Sequence, residues 1–234
     1  MNKGNKIYEG KAKILYETAD PDLLIQYFKD DATAFNAAKK GTIHDKGIVN
    51  NKISTKMFGL LESNGIPTHF VQNLNEREML VKRVTIVPLE VIVRNKAAGS
   101  FCRNYGVQEG RSLASPVFEF SYKCDALNDP LINDYHVLAL ELATKDELEI
   151  IKNFASKIND IMRSFFLKLN LELIDFKLEF GRYKGKIILA DEISPDTCRI
   201  WEIGTGRKLD KDRFRHDLGS VEEAYQEVLS RVTK

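Results

Sequence analysis

The sequence predicts an α+β fold in which antiparallel strands are flanked by helices. Short strand-like runs crowd the first ninety or so residues, two alternating runs between residues 173 and 192 are separated by a turn, and an amphipathic stretch covers residues 145–169. The chain has 234 residues, of which 43% are apolar, so it can bury the core of one sizeable domain or of two packed lobes. We predict a β-rich lobe over residues 1–83 and an α/β lobe over residues 84–234, sharing an interface because no flexible linker separates them.

The first ninety or so residues are predicted to be mainly β-structure, with strands at residues 6–9, 13–17, 23–28, 68–74, 78–83 and 86–94. One helix over about residues 47–63 interrupts them, because Asn64, Gly65 and Pro67 form a helix stop. Residues 29–51 are rich in Lys, Asp, Ala, Gly and Asn with little periodicity. This composition predicts a long loop, which is either simply mobile or a functional lid.

The C-terminal lobe carries the clearest helix signal. Apolar residues recur at spacings of three and four from Leu148 to Leu169, a stripe that indicates core packing. Thr144 and Glu147 have the spacing of a capping box, which predicts that the helix begins at about residue 145. A last helix is predicted over about residues 221–232.

Composition excludes several classes of protein. Thirty-five basic and thirty-four acidic residues leave a formal charge of +1, which provides no electrostatic footprint for nucleic acid. No apolar stretch approaches the ~18 residues that span a bilayer, and the N-terminus lacks a signal-peptide core, so we expect a cytosolic protein. The cysteines are odd in number and widely spaced, which argues against a disulfide framework or a zinc site: Cys102, Cys124 and Cys198. The histidines lack the spacing of metal ligands: His44, His69, His136 and His216.

The segment LIDFKLEFG at residues 173–181 places Asp175, Lys177 and Glu179 at alternate positions among apolar residues. On a strand all three face one side, with the two carboxylates roughly 13 Å apart. A turn at Gly185 would fold the next run back as a hairpin and bring Asp191 beside Glu179. Paired carboxylates of this kind suit Mg²⁺ carrying nucleotide phosphates, although a solvated sheet face also alternates without binding anything.

Two other segments could bind anions. The first segment joins two predicted strands and contains Gly10, Lys11, Ala12 and Lys13. Such a small-residue hairpin with lysines can cover a triphosphate. The alternative is a merely solvated hairpin, since no Walker motif occurs.

The second segment is the strand VPLEVIVR at residues 87–94 and the helix start that follows it. Arg94, Gly99 and Ser100 could seat a phosphomonoester there, with Arg199 and Arg215 as further anion ligands. The alternatives are a Ser acting only as N-cap and arginines in surface salt bridges.

Residues 87–100 and 173–181 resemble the two signature segments of the phosphoribosylaminoimidazole-succinocarboxamide synthase (SAICAR synthetase) family. Residues 8–13, 45–52, 128–130, 191–196 and 210–215 continue the resemblance in order and spacing, so that it spans nearly the whole chain. The family is a two-lobed α+β fold related to ATP-grasp and kinase-like architectures. The resemblance implies antiparallel sheets with flanking helices, a nucleotide-binding N-terminal lobe, and a C-terminal lobe with the substrate and metal residues.

The activity implied by this resemblance is ATP-dependent ligation of carboxyaminoimidazole ribonucleotide (CAIR) and L-aspartate. The products are SAICAR, ADP and phosphate, formed through an acyl phosphate in de novo purine biosynthesis. ATP and Mg²⁺ are implied as co-substrate and metal, and a cytoplasmic homodimer without nucleic-acid or membrane partners is expected. The alternatives are a small-molecule kinase of similar fold and a noncatalytic nucleotide-sensing domain.

The resemblance also assigns roles to individual residues. Those implied to be catalytic are Lys177, Asp175 and Lys13. Those implied to bind nucleotide are Gly10, Lys11, Ala12, Lys13, Lys82, Lys123, Glu179 and Asp191, of which Glu179 and Asp191 would also bind the metal. Those implied to bind CAIR are Arg94, Ser100, Asp129, Asp175, Lys177, Arg199 and Arg215. For L-aspartate we hypothesise a contribution from residues 34–40, because this segment combines small residues with Lys39 and Lys40.

Overall fold

The computed structural model describes residues 2–34 and 38–234, and this part of the chain forms thirteen strands and six α-helices. The strands are β1 (Lys6–Glu9), β2 (Lys13–Glu17), β3 (Leu23–Phe28), β4 (Asp31–Ala34), β5 (Lys39–Thr42), β6 (Phe70–Asn73), β7 (Glu78–Lys82), β8 (Thr85–Lys96), β9 (Ser112–Tyr122), β10 (Leu131–Ile132), β11 (Leu171–Tyr183), β12 (Lys186–Ala190) and β13 (Cys198–Glu202). The helices are α1 (Lys46–Ser63), α2 (Ser100–Tyr105), α3 (Asp134–Ala139), α4 (Lys145–Lys168), α5 (Asp212–Arg215) and α6 (Val221–Val232).

Two antiparallel sheets organise the molecule. The first has the strand order β1-β2-β3-β7-β6, and the second has the order β10-β9-β8-β11-β12, with β13 paired to the first half of β11. The strands β4 and β5 form a separate two-stranded ribbon. Because β11 pairs with β8 on one side and with β12 and β13 on the other, it lies at the centre of the second sheet.

The predicted hairpin and long helix are both confirmed. β11 and β12 pair with Glu179 opposite Ala190, and the turn contains Lys184 and Gly185 with φ values of 48° and 77°, as tight hairpin turns require. At α4 the Thr144 side chain accepts a hydrogen bond from the amide of Glu147, whose carboxylate accepts one from the amide of Thr144. The apolar face of α4 packs on β8, β11 and β12.

The hydrophobic core is continuous between the two sheets. Helix α1 packs against β3, β6, β7 and α6, and its residues Met57 and Phe58 belong to the same buried cluster as Val91 of β8 and Phe176 of β11. The backbone of β12 also bonds to the segment before β6, since the His69 amide donates to the Leu189 carbonyl at 2.8 Å. Within residues 2–34 and 38–234, no helix is both long and apolar enough to cross a membrane.

The prediction of a long loop over residues 29–51 is wrong. The chain there forms β4, β5 and the start of α1, with Ala32 and Ala34 buried on alternate positions of β4. Small residues such as alanine give a weak alternation signal, and the pairing partner of each strand supplies the rest of its stability. Residues 35–37, inside the segment hypothesised to hold L-aspartate, lie outside the described residues.

Candidate active site

A cleft of about 330 Å³ opens along β8, β11 and β13. Eight residues predicted to bind nucleotide or substrate line this cleft: Lys11, Arg94, Ser100, Asp129, Asp175, Lys177, Arg199 and Arg215. Strand pairing explains how residues distant in sequence meet there, because Asp175 of β11 lies opposite Arg94 of β8 on one side and Arg199 of β13 on the other. The register of the sheet therefore assembles the cleft.

The first end of the cleft, which we call the arginine end, is built around Asp175. Arg94 donates to the Asp175 carboxylate at 2.8 Å and to the Ser100 hydroxyl at 2.9 Å, and Arg199 donates to Asp175 at 2.9 Å. Gly99 has a φ of 56°, and a Cβ atom there would lie 2.3 Å from an Arg199 nitrogen, so only glycine fits. Ser100 begins α2 with its hydroxyl on Arg94 and makes no cap hydrogen bond, so the N-cap alternative for Ser100 is wrong.

A buried acidic residue that the sequence did not single out supports the arginine end. Asp212 accepts from the Arg199 Nε at 2.7 Å and from Arg215 at 2.6 Å. Burial alone would raise the pKa of Asp212, but Arg199 and Arg215 lower that pKa to about 2. Burial would also lower the pKa of Arg199, yet Asp175 and Asp212 hold it above the ordinary arginine value. Arg199 therefore carries a full charge at the cleft.

The second group of charges, which we call the lysine cluster, surrounds Glu179 and Asp191. Lys177 donates to Glu179 at 2.7 Å and Lys123 donates to it at 3.0 Å, while Lys13 pairs with Asp191. Burial would raise the pKa of Asp191, but Lys13 lowers it, and so do Lys177 and Lys123, the two partners of Glu179. Ala190, the last residue of β12, pairs with Glu179, and Asp191 follows it with a φ of 64°, so the two acidic residues lie on neighbouring strands and share the charges of Lys177 and Lys123.

Glu192 and Glu90 also belong to this cluster and were not predicted. The Glu192 carboxylate lies 3.4 Å from Lys13, and burial raises its pKa above the ordinary glutamate value. Glu90 of β8 accepts from Lys177 at 2.9 Å and lines the cleft, so Lys177 joins the lysine cluster to the cleft. Glu90 of β8 lies directly opposite Glu179 of β11. This cross-strand pairing is the signal that could have identified Glu90 as a residue of the site.

The other residues predicted to bind nucleotide lie at several different places in the structure. The Gly10 amide donates to the Lys13 carbonyl at 2.9 Å, which closes the turn between β1 and β2. The Ala12 carbonyl accepts from the Lys29 amide at 2.8 Å, which joins this turn to the end of β3. Lys11 pairs with Asp125 at 2.9 Å at the mouth of the cleft. Lys82 of β7 donates to the Thr68 carbonyl at 2.8 Å. Lys82 is not among the described residues that line the cleft.

The donor chemistry of the lysine cluster is compatible with a divalent cation. Within residues 2–34 and 38–234, no group of three or more His, Cys, Asp or Glu side chains is arranged to hold a metal ion. Mg²⁺ is commonly held by one or two carboxylates together with substrate phosphates and water, and it needs no complete protein cage. Glu179 and Asp191 supply this number of hard oxygen ligands.

Of the segment hypothesised to bind L-aspartate, residues 34–40, the structure brings Ala34 to the wall of the cleft, where Thr33 lies beside it. Lys39 instead donates at 2.6 Å to Asp217, an exposed residue, and lies over the Phe214 ring.

Comparison with known proteins identifies relatives along the whole chain. The profile of the SAICAR synthetase family matches residues 6–232. A phosphoribosylaminoimidazole-succinocarboxamide synthase of Clostridium kluyveri is 60% identical over 233 residues, which cover 100% of this chain and 99% of the relative.

Solved structures agree with this match. A phosphoribosylaminoimidazole-succinocarboxamide synthase of Ehrlichia chaffeensis superimposes with a TM-score of 0.97 at 48% identity, covering 98% of each chain. A SAICAR synthetase solved in complex with ADP superimposes with a TM-score of 0.94 at 47% identity, covering 97% of each chain. The resemblance carried by the signature segments is thus confirmed, and the chain belongs to the SAICAR synthetase family.

Proposed function

We propose that the cleft and the lysine cluster together join CAIR to L-aspartate with ATP, giving SAICAR, ADP and phosphate. Membership of the SAICAR synthetase family makes the chain an ATP-dependent C–N ligase of purine biosynthesis. The observation that carries the assignment of roles is the juxtaposition of an arginine end and a lysine cluster, joined by Lys177. The reaction requires two separate phosphate sites on either side of one carboxylate, and we assign these two sites to the arginine end and the lysine cluster.

The arginine end is the proposed site for the 5′-phosphate of CAIR. Arg94 is fixed by Asp175 and Glu119, and Arg199 by Asp175 and Asp212, so both guanidinium groups are ordered before a phosphate binds and lose little side-chain entropy on binding. Ser100 adds a hydroxyl and Arg215 a further positive charge. Asp129, which accepts from the Cys124 amide at 2.8 Å and lines the cleft, is proposed to bind the ribose hydroxyls.

The reacting carboxylate of CAIR is assigned to Lys177, with Asp175 orienting the imidazole. A carboxylate resists attack by an amine because its oxygen is a poor leaving group. Transfer of the γ-phosphoryl group to a carboxylate oxygen releases ADP and creates an acyl phosphate; the amine of L-aspartate then bonds to the acyl carbon as phosphate leaves. Lys177 is suited to both steps, since burial would lower its pKa but Glu179, Asp191 and Glu90 hold the pKa well above the ordinary value and keep the ammonium charged.

The nucleotide is assigned to the hairpin between β1 and β2 and to the lysine cluster. Lys11 and Lys13 would contact the phosphates beneath the backbone of Gly10 and Ala12, with Lys123 alongside, and the strand that ends at Lys82 would bind adenine. Glu179 and Asp191 are proposed to bind Mg²⁺, which when bound neutralises phosphate charge. The division into a nucleotide-binding lobe over residues 1–83 and a substrate and metal lobe over residues 84–234 follows from these assignments and remains part of the proposal.

The proposed assembly is a homodimer in the cytoplasm, an assignment that rests on the family resemblance. Exposed apolar side chains on β9, β10 and α3, among them Phe118, Leu131 and Leu138, would favour such pairing. Light scattering of the purified protein would measure its mass, and a monomer at micromolar concentration would contradict the assembly.

The test of the function is an omission assay with ATP, Mg²⁺, CAIR and L-aspartate. We expect SAICAR to form in a one-to-one ratio with ADP and phosphate, and only when all four components are present. A kinase of similar fold would release ADP without consuming aspartate. ATP consumption that is independent of aspartate, or the absence of SAICAR, would therefore contradict the proposal.

A further inference from the structure

Glu192 is a buried member of the lysine cluster that has no role in the proposed reaction. Its side chain is 4% exposed, and Glu192 is not among the described residues that line the cleft. A carboxylate in this position loses its water and depends on protein groups to replace it. Because Glu192 does not reach the cleft, its effect on the reaction must pass through the residues that it contacts.

The two oxygens of the Glu192 carboxylate have different partners. The Ser194 hydroxyl donates to Oε2 at 3.2 Å, and Oε1 lies 3.4 Å from the Lys13 ammonium. Ser194 is itself buried, and its hydroxyl oxygen accepts from the Asp196 amide at 3.1 Å, which fixes the direction of the hydroxyl. Ser194 therefore orients the carboxylate so that its second oxygen faces Lys13.

The backbone at the end of β12 allows two adjacent acidic residues to meet one lysine. Successive side chains of a strand point to opposite faces, so Asp191 and Glu192 would not share a cation on a regular strand. Asp191 has a φ of 64°, in the left-handed region, and the alternation ends there. The next residue, Ile193, is held by its carbonyl, which accepts from the Ser54 hydroxyl of α1 at 3.1 Å.

Lys13 is consequently shared between two carboxylates. Among residues 2–34 and 38–234, those of Asp191 and Glu192 are the only ones within 4.0 Å of its ammonium. Asp191 is also a proposed ligand of Mg²⁺, and a carboxylate that binds a cation attracts a second cation less strongly. Glu192 is then the carboxylate that stays with Lys13.

We propose that Glu192 is a positioning residue for Lys13, holding the ammonium beside the hairpin of β1 and β2 when Asp191 binds the metal. This inference rests on the proposed function and adds a residue to it. With Glu192 in place, Lys13 can leave Asp191 and still contact the nucleotide phosphates from a fixed position. Without Glu192, the ammonium would remain on Asp191 and compete with the metal for that carboxylate.

The test is a double-mutant cycle of Glu192→Gln and Lys13→Gln, in which glutamine removes each charge. The measurements are kcat/KM for ATP and the Kd of ADP by calorimetry, with and without Mg²⁺. Glu192→Gln alone should lower kcat/KM for ATP by about 10- to 100-fold and weaken ADP binding by about 5- to 10-fold, with the KM of CAIR and of L-aspartate within about twofold. In the Lys13→Gln protein the same substitution should change each quantity by less than about threefold, because the residue through which Glu192 acts is absent.

The matched control is Glu202→Gln. Glu202 is a partly buried glutamate that pairs with Arg231 at 2.6 Å, and it is not among the described residues that line the cleft. Its substitution removes an ion pair outside the site, so kcat/KM for ATP and the Kd of ADP should stay within about twofold. The control separates a general loss of stability from a loss of Lys13 positioning.

Equal factors for Glu192→Gln in the two backgrounds, or an ADP affinity within about twofold for the single variant, would overturn the proposal. If Glu192→Gln does not fold, Ser194→Ala replaces it in the same cycle, since it removes the hydroxyl that orients the carboxylate, and we expect about a 3- to 10-fold loss that depends on Lys13. SAICAR formation by the unaltered enzyme separates the two hypotheses. An enzyme that makes SAICAR but shows equal factors loses only this inference, whereas one that makes none loses the proposed function.

Discussion

Replacing Asp212 by asparagine tests whether buried charge organises the arginine end. Asp212 is fully buried, and its two oxygens accept from Arg199 at 2.7 Å and from Arg215 at 2.6 Å. Asparagine keeps the shape but has one acceptor oxygen and no charge. One guanidinium would then face an amide N–H group, and both would lose their ionic partner.

The pKa of Asp212 sets the size of the expected loss. A decrease from 3.8 to about 2 in the folded state corresponds to about 2.5 kcal/mol of stabilisation at neutral pH. Removing one partner of a buried ion pair costs roughly 3–5 kcal/mol, so we expect Asp212→Asn to lower the free energy of unfolding by about 2–4 kcal/mol. Because the folded-state pKa is lowered, this stabilisation is present above about pH 4 and is lost as the pH falls towards 2.

The assay is urea unfolding at pH 7 and at several values between pH 5 and 2, together with the KM of CAIR. The variant should lose the part of the acid dependence that Asp212 contributes, and its KM for CAIR should rise by about tenfold as Arg199 and Arg215 become less ordered. Asp217→Asn is the control, since Asp217 is exposed and pairs with Lys39, and it should change stability by less than about 0.5 kcal/mol. A similarly small change for Asp212→Asn at pH 7 would refute the reasoning.

Three further predictions concern the lysine cluster and the core. Glu179→Gln should lower kcat of SAICAR formation by about a thousandfold in steady-state assays, because one carboxylate of the proposed metal pair is lost, whereas Glu172→Gln on the same strand should stay within about twofold. Ile158→Ala, at a fully buried position of α4, should lower the free energy of urea unfolding by about 2–5 kcal/mol. Ile150→Ala, on the exposed side of the same helix, should lower it by less than about 1 kcal/mol. Equal losses for the two variants would contradict the packing of α4. Thr144→Ala should cost about 1 kcal/mol in the same measurement, since it removes the N-cap of α4, and an unchanged midpoint would count against the capping box.

Elements with strong local signals were predicted from the sequence almost to the residue. The capping box at Thr144 and the apolar stripe that follows specify α4, and the alternation around Glu179 with the turn at Gly185 specifies the hairpin of β11 and β12. These signals act over a few residues, so no knowledge of the rest of the fold is needed. The strands β4 and β5 were missed because small and polar residues give only a weak alternation signal, and long-range pairing decides their structure.

The residues of the candidate site also divide into those that sequence motifs identified and those that only the fold revealed. Arg94, Asp175 and Lys177 could be recognised from motifs, because their residue types are unusual inside apolar strands. Asp212 could not, since a charged residue in a polar segment is normally solvent-exposed. Only its burial, and the arginines that the fold brings to it, distinguish Asp212 from an ordinary surface charge.

The sequence by itself determined the strands and helices that have strong periodic signals, the faces that those elements bury, and the family signature, because all three depend on periodicity and on short motifs. The tertiary structure decided which charges meet. The antiparallel register sets Asp175 between Arg94 and Arg199, and the hairpin ends β12 opposite Glu179, with Asp191 as the next residue. The physical reason is that an ion pair depends on distance and on exclusion of water, and both are properties of the folded chain that no short stretch of sequence contains.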